Sequence, residues 1–211
     1  MQYLFLILLW TVYCFLHSFL ISTVFTNFLS RILGKYTAFY RLFYVAISLL
    51  LLILLINYTS RQDHTVIIPN SSSVQIIRYS LTIFSLMLFF RAFLFNYDPL
   101  SFFGIRQILN YRKSSGMEHS MKISKKGLLA IIRHPMYFAL LVYLWSQVYT
   151  DVDLMINALL TIYIIIGTRL EENKLIIEFG EEYKHYQQEV PMLFPQIKRK
   201  NMYKQNQKTS Y

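Results

Sequence analysis

The chain carries one cysteine, Cys14, so an intramolecular disulfide is excluded. Charge is scarce: 15% of residues are Asp, Glu, Lys or Arg, against about a quarter in an ordinary soluble domain. The scarcity is concentrated. No acidic or basic residue stands in 1–30, nor in 42–60. Uncharged runs of that length belong in the hydrocarbon of a bilayer, so a soluble domain is excluded. Glycine is sparse too, and no Gly-rich loop is present to cradle a phosphate. No paired Cys or His pattern offers a metal site. Acidic residues number 11 against 21 basic ones, for a formal charge of +10. In a chain this apolar the surplus reports membrane topology, and nucleic acid is not an expected partner.

What is present is apolar and aromatic: 55% hydrophobic residues, 17% Phe, Trp or Tyr. The expectation is an all-α integral membrane protein, one membrane-embedded domain over 1–211. About five transmembrane helices are expected, at roughly 3–29, 39–58, 74–97, 135–149 and 154–168, with a C-terminal helical segment after them. The first block lacks a basic leader and a small-residue cleavage site, so it reads as a retained span rather than a signal peptide. The stretch "PNSSS" (69–73) marks a turn between spans two and three.

Charge orients these spans. Arg31, Lys35 and Arg41 fill the first loop, and Arg106, Arg112, Lys113, Lys122, Lys125, Lys126 and Arg133 the third. The second has Arg61 and Arg78 with Asp63, and the fourth has Asp151 and Asp153 without a cation. The positive-inside rule then places the N-terminus outside and the C-terminus in the cytoplasm, with a bacterial inner membrane as the expected location. The basic tail, 196–211, is expected near anionic membrane lipid.

Two polar stretches fall on the cytoplasmic side of this topology. "RHPMY" (133–137) opens the fourth span. Pro135 suits a first helical turn, where its missing N–H costs nothing. The start of that helix offers N–H groups and the positive end of its dipole, flanked by Arg133 and His134, with Tyr137 one turn on. Alone, the pentapeptide reads as an interfacial anchor, with Arg133 snorkelling and Tyr137 in the aromatic belt. After the fifth span come Arg169, Glu171 and Glu172. Alone, they read as a helix leaving the membrane, with Arg169 and Glu172 in pairing range at i, i+3. "FGEEYKHYQQEVPMLFP" (179–195) follows, with Gly180 as a helix end, Tyr183 and Tyr186 on one face, and "VPMLFP" as an extended apolar strip.

Spans four and five form a tight hairpin, so its two cytoplasmic ends are expected side by side. Together the pieces specify more than they do apart. A positive helix start suits a carboxylate, Glu171 and Glu172 suit an ammonium or ribose hydroxyls, and the aromatics suit a purine. A ligand with all of these is S-adenosylmethionine.

"GLLAIIRHPMY" (127–137) followed by "EENKLIIEFGEEYKHYQQEVPMLFP" (171–195) resembles the isoprenylcysteine carboxyl methyltransferase superfamily of integral membrane enzymes. "LHSFL" (16–20), "YRLFYVAIS" (40–48) and "DPLSFFGIRQ" (98–107) resemble the branch holding methanethiol S-methyltransferases and NnrU-like proteins. The resemblance implies a multi-span helical fold that holds S-adenosylmethionine at the cytoplasmic side. It implies cofactor contacts at His134, Pro135, Tyr137, Glu171 and Glu172, with Tyr183 and Tyr186 closing the pocket. Leu129 and Ala130 depart from the Tyr-Arg that the superfamily often carries after Gly-Leu. The implied activity is methylation of a small or lipophilic thiol. The alternatives are carboxyl methylation of a prenylcysteine-like acid, or a non-enzymatic NnrU-like role in nitrogen-oxide metabolism. His17, Arg41 and Arg169 are the acceptor-side candidates.

Overall fold

The computed structural model describes residues 1–96, 98–109 and 125–195. The helices are α1 (Gln2–Ile21), α2 (Thr23–Leu33), α3 (Thr37–Ser60), α4 (Ser72–Asn96), α5 (Pro99–Phe102), α6 (Ile105–Leu109), α7 (Pro135–Ser146), α8 (Asp151–Phe179) and α9 (Glu181–Glu189). Among the described residues no strand forms, and an all-α multi-pass membrane protein results. Four apolar stretches are long enough to cross a bilayer: Gln2–Ile21, Thr23–Ser60, Ser72–Asn96 and Asp151–Phe179. The basic tail, Arg112, Lys113, Lys122 and the last residue of the third expected span lie outside the described residues.

Several expected boundaries shift. The stretch 3–29 is two helices, because Ser22 leaves the helical region (φ −63, ψ 146) and its side chain accepts the Phe25 N–H at 3.2 Å. Serine at an N-cap stabilises a new start more than a continued helix. α2 buries no side chain and exposes Val24, Phe28 and Ile32 along one stripe, as a helix lying in a membrane interface does. The fourth expected span is the 12-residue α7. It is roughly 18 Å long at 1.5 Å per residue, short of the roughly 30 Å of hydrocarbon. It packs instead against α4 and α8. Arg78 and Asp153, expected in loops, lie within α4 and α8.

α1 is the centre of one half. Leu6 and Trp10 pack with Leu55 of α3 and Val152 and Ile156 of α8. The Trp10 indole N–H donates to Thr59 Oγ1 at 3.1 Å, so the buried ring loses no hydrogen bond. In the other half Leu141 and Ile164 pack with Leu193, which docks the C-terminal strip on the α7–α8 hairpin. The outward faces carry exposed Leu, Ile and Phe, the apolar exterior that a membrane-spanning helix needs.

The α7–α8 turn explains its two aspartates. Thr150 and Asp153 form a capping box at the start of α8, with Asp153 Oδ2 accepting the Thr150 N–H at 2.8 Å. Asp151 accepts the Thr65 N–H and the Tyr3 hydroxyl, tying the α3–α4 loop and α1 to this end. Carboxylates here favour the positive end of the α8 dipole. At the opposite end, Arg41 donates from Nε to Phe102 O at 3.0 Å, and Asp98 pairs with Arg106 at 2.8 Å.

Gly104 has φ +82, and a Cβ there lies 2.9 Å from both Arg41 Cβ and Leu42 N. Gly167, inside α8, has open space where a Cβ would stand, with nothing within 4 Å. Gly104→Ala is therefore expected to destabilise by ~1 kcal/mol or more. Gly167→Ala is expected to leave the protein as stable or gain about 0.5–1 kcal/mol of helix propensity. Thermal unfolding of the two variants in detergent checks the contrast.

Candidate functional site

The site forms where α7 begins and α8 runs past it. Gly180, at φ +58, ends α8 and turns the chain into α9. Tyr183, Tyr186, Gln187 and Val190 then recur at helical spacing on one face of α9, and both tyrosines are buried. The strip after α9 returns across the hairpin: Arg133 N–H donates to Pro191 O at 2.9 Å and His134 N–H to Met192 O at 3.1 Å. These two bonds satisfy the backbone just before Pro135, which has no N–H to satisfy.

Glu172 is the node. It is buried. Its Oε1 accepts from Arg133 Nε at 2.6 Å, from His134 Nε2 at 3.1 Å and from the Tyr183 hydroxyl at 3.4 Å. Its Oε2 accepts from Gln187 Nε2 at 3.0 Å. A carboxylate only accepts, so the His134 proton belongs on Nε2. Arg133 also donates from Nη1 to Gln187 O at 3.0 Å and to Val190 O. Three segments separated in sequence are thus joined through one charged pair.

Glu171 is different. It is half-buried and accepts from the Tyr137 hydroxyl at 2.8 Å through Oε2. The Tyr137 ring stacks on that of His134, with centroids 5.7 Å apart. Tyr186 donates to Leu129 O at 2.6 Å. That bond uses the backbone, so the departure at Leu129 and Ala130 leaves it intact. Burial pushes the Tyr186 phenol up to about 12. Burial, then the Glu172 carboxylate, raises Tyr183 also. Both therefore remain hydrogen-bond donors at neutral pH.

The structure brings His134, Pro135, Tyr137, Glu171, Glu172, Tyr183 and Tyr186 together. It corrects two pairings. Arg133 is no interfacial anchor: its side chain is 8% exposed and bound to Glu172. Glu172 takes Arg133 rather than Arg169, which is exposed. Gln187 is a member of the cluster that the sequence did not single out, although its spacing of four from Tyr183 places it on the buried face of α9.

His17 belongs to a separate network. Its Nδ1 lies 2.9 Å from the Tyr163 hydroxyl and its Nε2 2.9 Å from that of Tyr44. Tyr163 is nine residues before Glu172, about 13 Å along the helix. Arg41 is engaged with Phe102. Neither is part of the Glu172 cluster. Among the described residues no group of His, Cys, Asp and Glu is arranged to hold a metal ion.

The sequence model of the family described as "NnrU protein" matches residues 5–170. That span includes His134, Pro135 and Tyr137 and stops before Glu171. Three curated proteins named methanethiol S-methyltransferase are similar. That of Pseudomonas deceptionensis is 40% identical over 99 residues, 46% of this chain and 37% of that protein. Methanethiol S-methyltransferase 1 of Bradyrhizobium diazoefficiens is 39% identical over 111 residues, 52% of this chain and 38% of that protein. That of Crocosphaera subtropica is 33% identical over 130 residues, 60% of this chain and 49% of that protein. The chain thus spans between about a third and half the length of these curated relatives. No solved structure matches.

Removing one member of a buried ion pair leaves the other uncompensated, at a cost of about 3–5 kcal/mol, while removing both costs far less. Glu172→Ala is expected to lower the unfolding temperature sharply, and Arg133→Met with Glu172→Met to recover most of the loss. Glu171→Ala, with one hydroxyl partner, is expected to change it little. Melting curves of the four proteins in one detergent check this order. A second check uses alkali. The raised Tyr186 phenol binds its proton more tightly in the folded state, so its contribution is full below pH 10 and is lost as pH rises from 10 to about 12. Tyr186→Phe is expected to blunt that alkaline loss of stability.

Proposed function

The chain belongs to the NnrU protein family, and from that footing we propose that it is an S-adenosylmethionine-dependent membrane methyltransferase acting on a small or lipophilic thiol. The observation that carries this reading is the convergence of residues 133–137 with Glu171 and Glu172 in one hydrogen-bonded cluster. The methanethiol S-methyltransferase names of the relatives support it. The family description alone leaves the non-enzymatic role as the second reading, and cofactor binding separates the two.

The residues fit the cofactor by their chemistry, and the two glutamates divide the work. Glu172 has its accepting capacity filled by Arg133, His134, Tyr183 and Gln187, so it builds the site. Glu171 keeps an oxygen beyond its bond to Tyr137, so it is the carboxylate available to an ammonium or to ribose hydroxyls. The start of α7 supplies the Met136 N–H and the positive end of the helix dipole, suited to the carboxylate of an amino acid. The stacked His134 and Tyr137 rings offer an aromatic wall. When bound, S-adenosylmethionine supplies an electrophilic methyl group on sulfur. The protein's part is to orient donor and acceptor and to exclude water. A thiol reacts as its thiolate, which a nearby cation favours. Of the three acceptor-side candidates, Arg169 is the one on the stretch of α8 that carries the glutamates.

We place this end of the bundle in the cytoplasm, because Arg31 at the end of α2, Lys35, Arg41 at the start of α3, Lys125 and Lys126 carry its positive charge. The acceptor then arrives from the cytoplasm or along the bilayer.

Calorimetry of the detergent-purified protein with S-adenosylmethionine is expected to show binding that Glu171→Ala weakens at least tenfold without lowering thermal stability. No binding by the unaltered protein overturns the reading in favour of the non-enzymatic role. Membranes given labelled donor and methanethiol are expected to release volatile dimethyl sulfide. A base-labile label formed only with a prenylcysteine assigns carboxyl methylation instead.

A further inference from the structure

A second polar site lies at the other end of α7, about 18 Å from the first by helix rise. A cavity of about 380 Å³ opens between the start of α4, the end of α7 and the start of α8. Its volume is within the range of small-ligand sites. Nothing in the proposed methyl transfer uses it.

Arg78, half-buried on α4, is its defining group. Its Nε donates to Ser146 O at 3.1 Å, and its guanidinium carbon lies 5.2 Å from the Tyr149 ring centroid. One edge and one face of the guanidinium are therefore fixed. No described residue accepts from its two terminal nitrogens. Gln147 is held by bonds to Thr82 Oγ1 and Ser146 Oγ at 2.8 and 2.9 Å. Gln75 donates to Asn70 Oδ1 at 2.8 Å, which leaves the Asn70 amide N–H groups for the cavity. Asp153 is the sole carboxylate lining it, and its Oδ2 accepts the Tyr149 and Thr150 N–H groups at 3.1 and 2.8 Å. That oxygen is occupied by backbone N–H groups, and Arg78 supplies free charged donors to the lining.

A fixed guanidinium with free terminal N–H groups matches two oxygens of a phosphate ester. The level in the membrane fits as well. Gln75 and Arg78 stand in the first two turns of α4, about 5–10 Å from its start, where lipid headgroups lie. Ile76, Ile77 and Ile83 are exposed on the same helix, an apolar surface that runs from the level of the recess towards the middle of α4 and suits acyl chains. We infer that this cavity binds the phosphate ester of a membrane-surface ligand through Arg78. A phospholipid headgroup and a soluble phosphate ester share that chemistry, and the helix-flanking isoleucines favour the lipid.

Native mass spectrometry of the full chain in detergent tests this, with short-chain phosphatidylglycerol, short-chain diacylglycerol and glycerol phosphate as probes. One equivalent of the phospholipid is expected to bind, at least tenfold more tightly than the diacylglycerol. Arg78→Gln is expected to remove that preference, and Arg31→Gln on exposed α2 to keep it. Glycerol phosphate binding as tightly as the phospholipid makes the soluble ester the ligand. Asn70→Ala, which removes the free amide N–H groups of the lining, keeps the test open if Arg78→Gln unfolds, and it is expected to weaken the same binding. No binding of either phosphate probe, equal binding of diacylglycerol, or unaltered binding in both Arg78→Gln and Asn70→Ala overturns the inference.

Discussion

The ion pair between Arg133 and Glu172 is the contact on which the C-terminal third of the molecule depends. Each side chain is at least nine-tenths buried, and each charge is expensive to bury without its partner. The pair is not left to Coulomb attraction alone. His134, Tyr183 and Gln187 fill the remaining capacity of the carboxylate. Arg133 Nη1 donates to Gln187 O and Val190 O, the last turn of α9 and its exit. One charged pair thus fixes the start of α7, the later part of α8 and the whole of α9. Backbone bonds to Pro191 and Met192 then lay the apolar strip over the hairpin, and Leu193 anchors it.

With Glu172 consumed in holding these segments, the adjacent Glu171 keeps its freedom. Two neighbouring carboxylates therefore have unlike environments, one saturated and buried, one half-exposed beside Tyr137. The opposite end of the hairpin uses a different solution. There Asp151 accepts the backbone N–H groups of Thr65 and Val152, and Asp153 those of Tyr149 and Thr150, and the cation, Arg78, is the group left with spare donors. Each end of the α7–α8 hairpin consequently presents one polar group with unfilled capacity in a setting that fixes its position.

Much of this was legible in the sequence. Uncharged runs marked the long helices, and Pro135 and Gly180 marked a helix start and a helix end. The short hairpin required residues 133–137 and 171–172 to meet. What composition could not carry was partner choice. Arg133 looks like a snorkelling interfacial residue because sequence shows distance from the apolar run, not depth beneath α9. Glu172 looks paired with Arg169 because i, i+3 neighbours are visible locally, whereas a partner 39 residues away is not. Ser22 was absorbed into an apolar run because its capping role depends on the backbone turning there. Gln187 was legible from its spacing on α9, once Tyr183 and Tyr186 are taken as the buried stripe.

The most direct test of the proposed site is to map where the methyl donor sits. Ultraviolet cross-linking of radiolabelled S-adenosylmethionine to the purified protein, followed by peptide sequencing, reads this out. Label is expected only on peptides containing Tyr137, or Tyr183 and Tyr186, and excess S-adenosylhomocysteine is expected to abolish it. Label concentrated on α1 or α3, around His17 and Tyr44, would contradict the site.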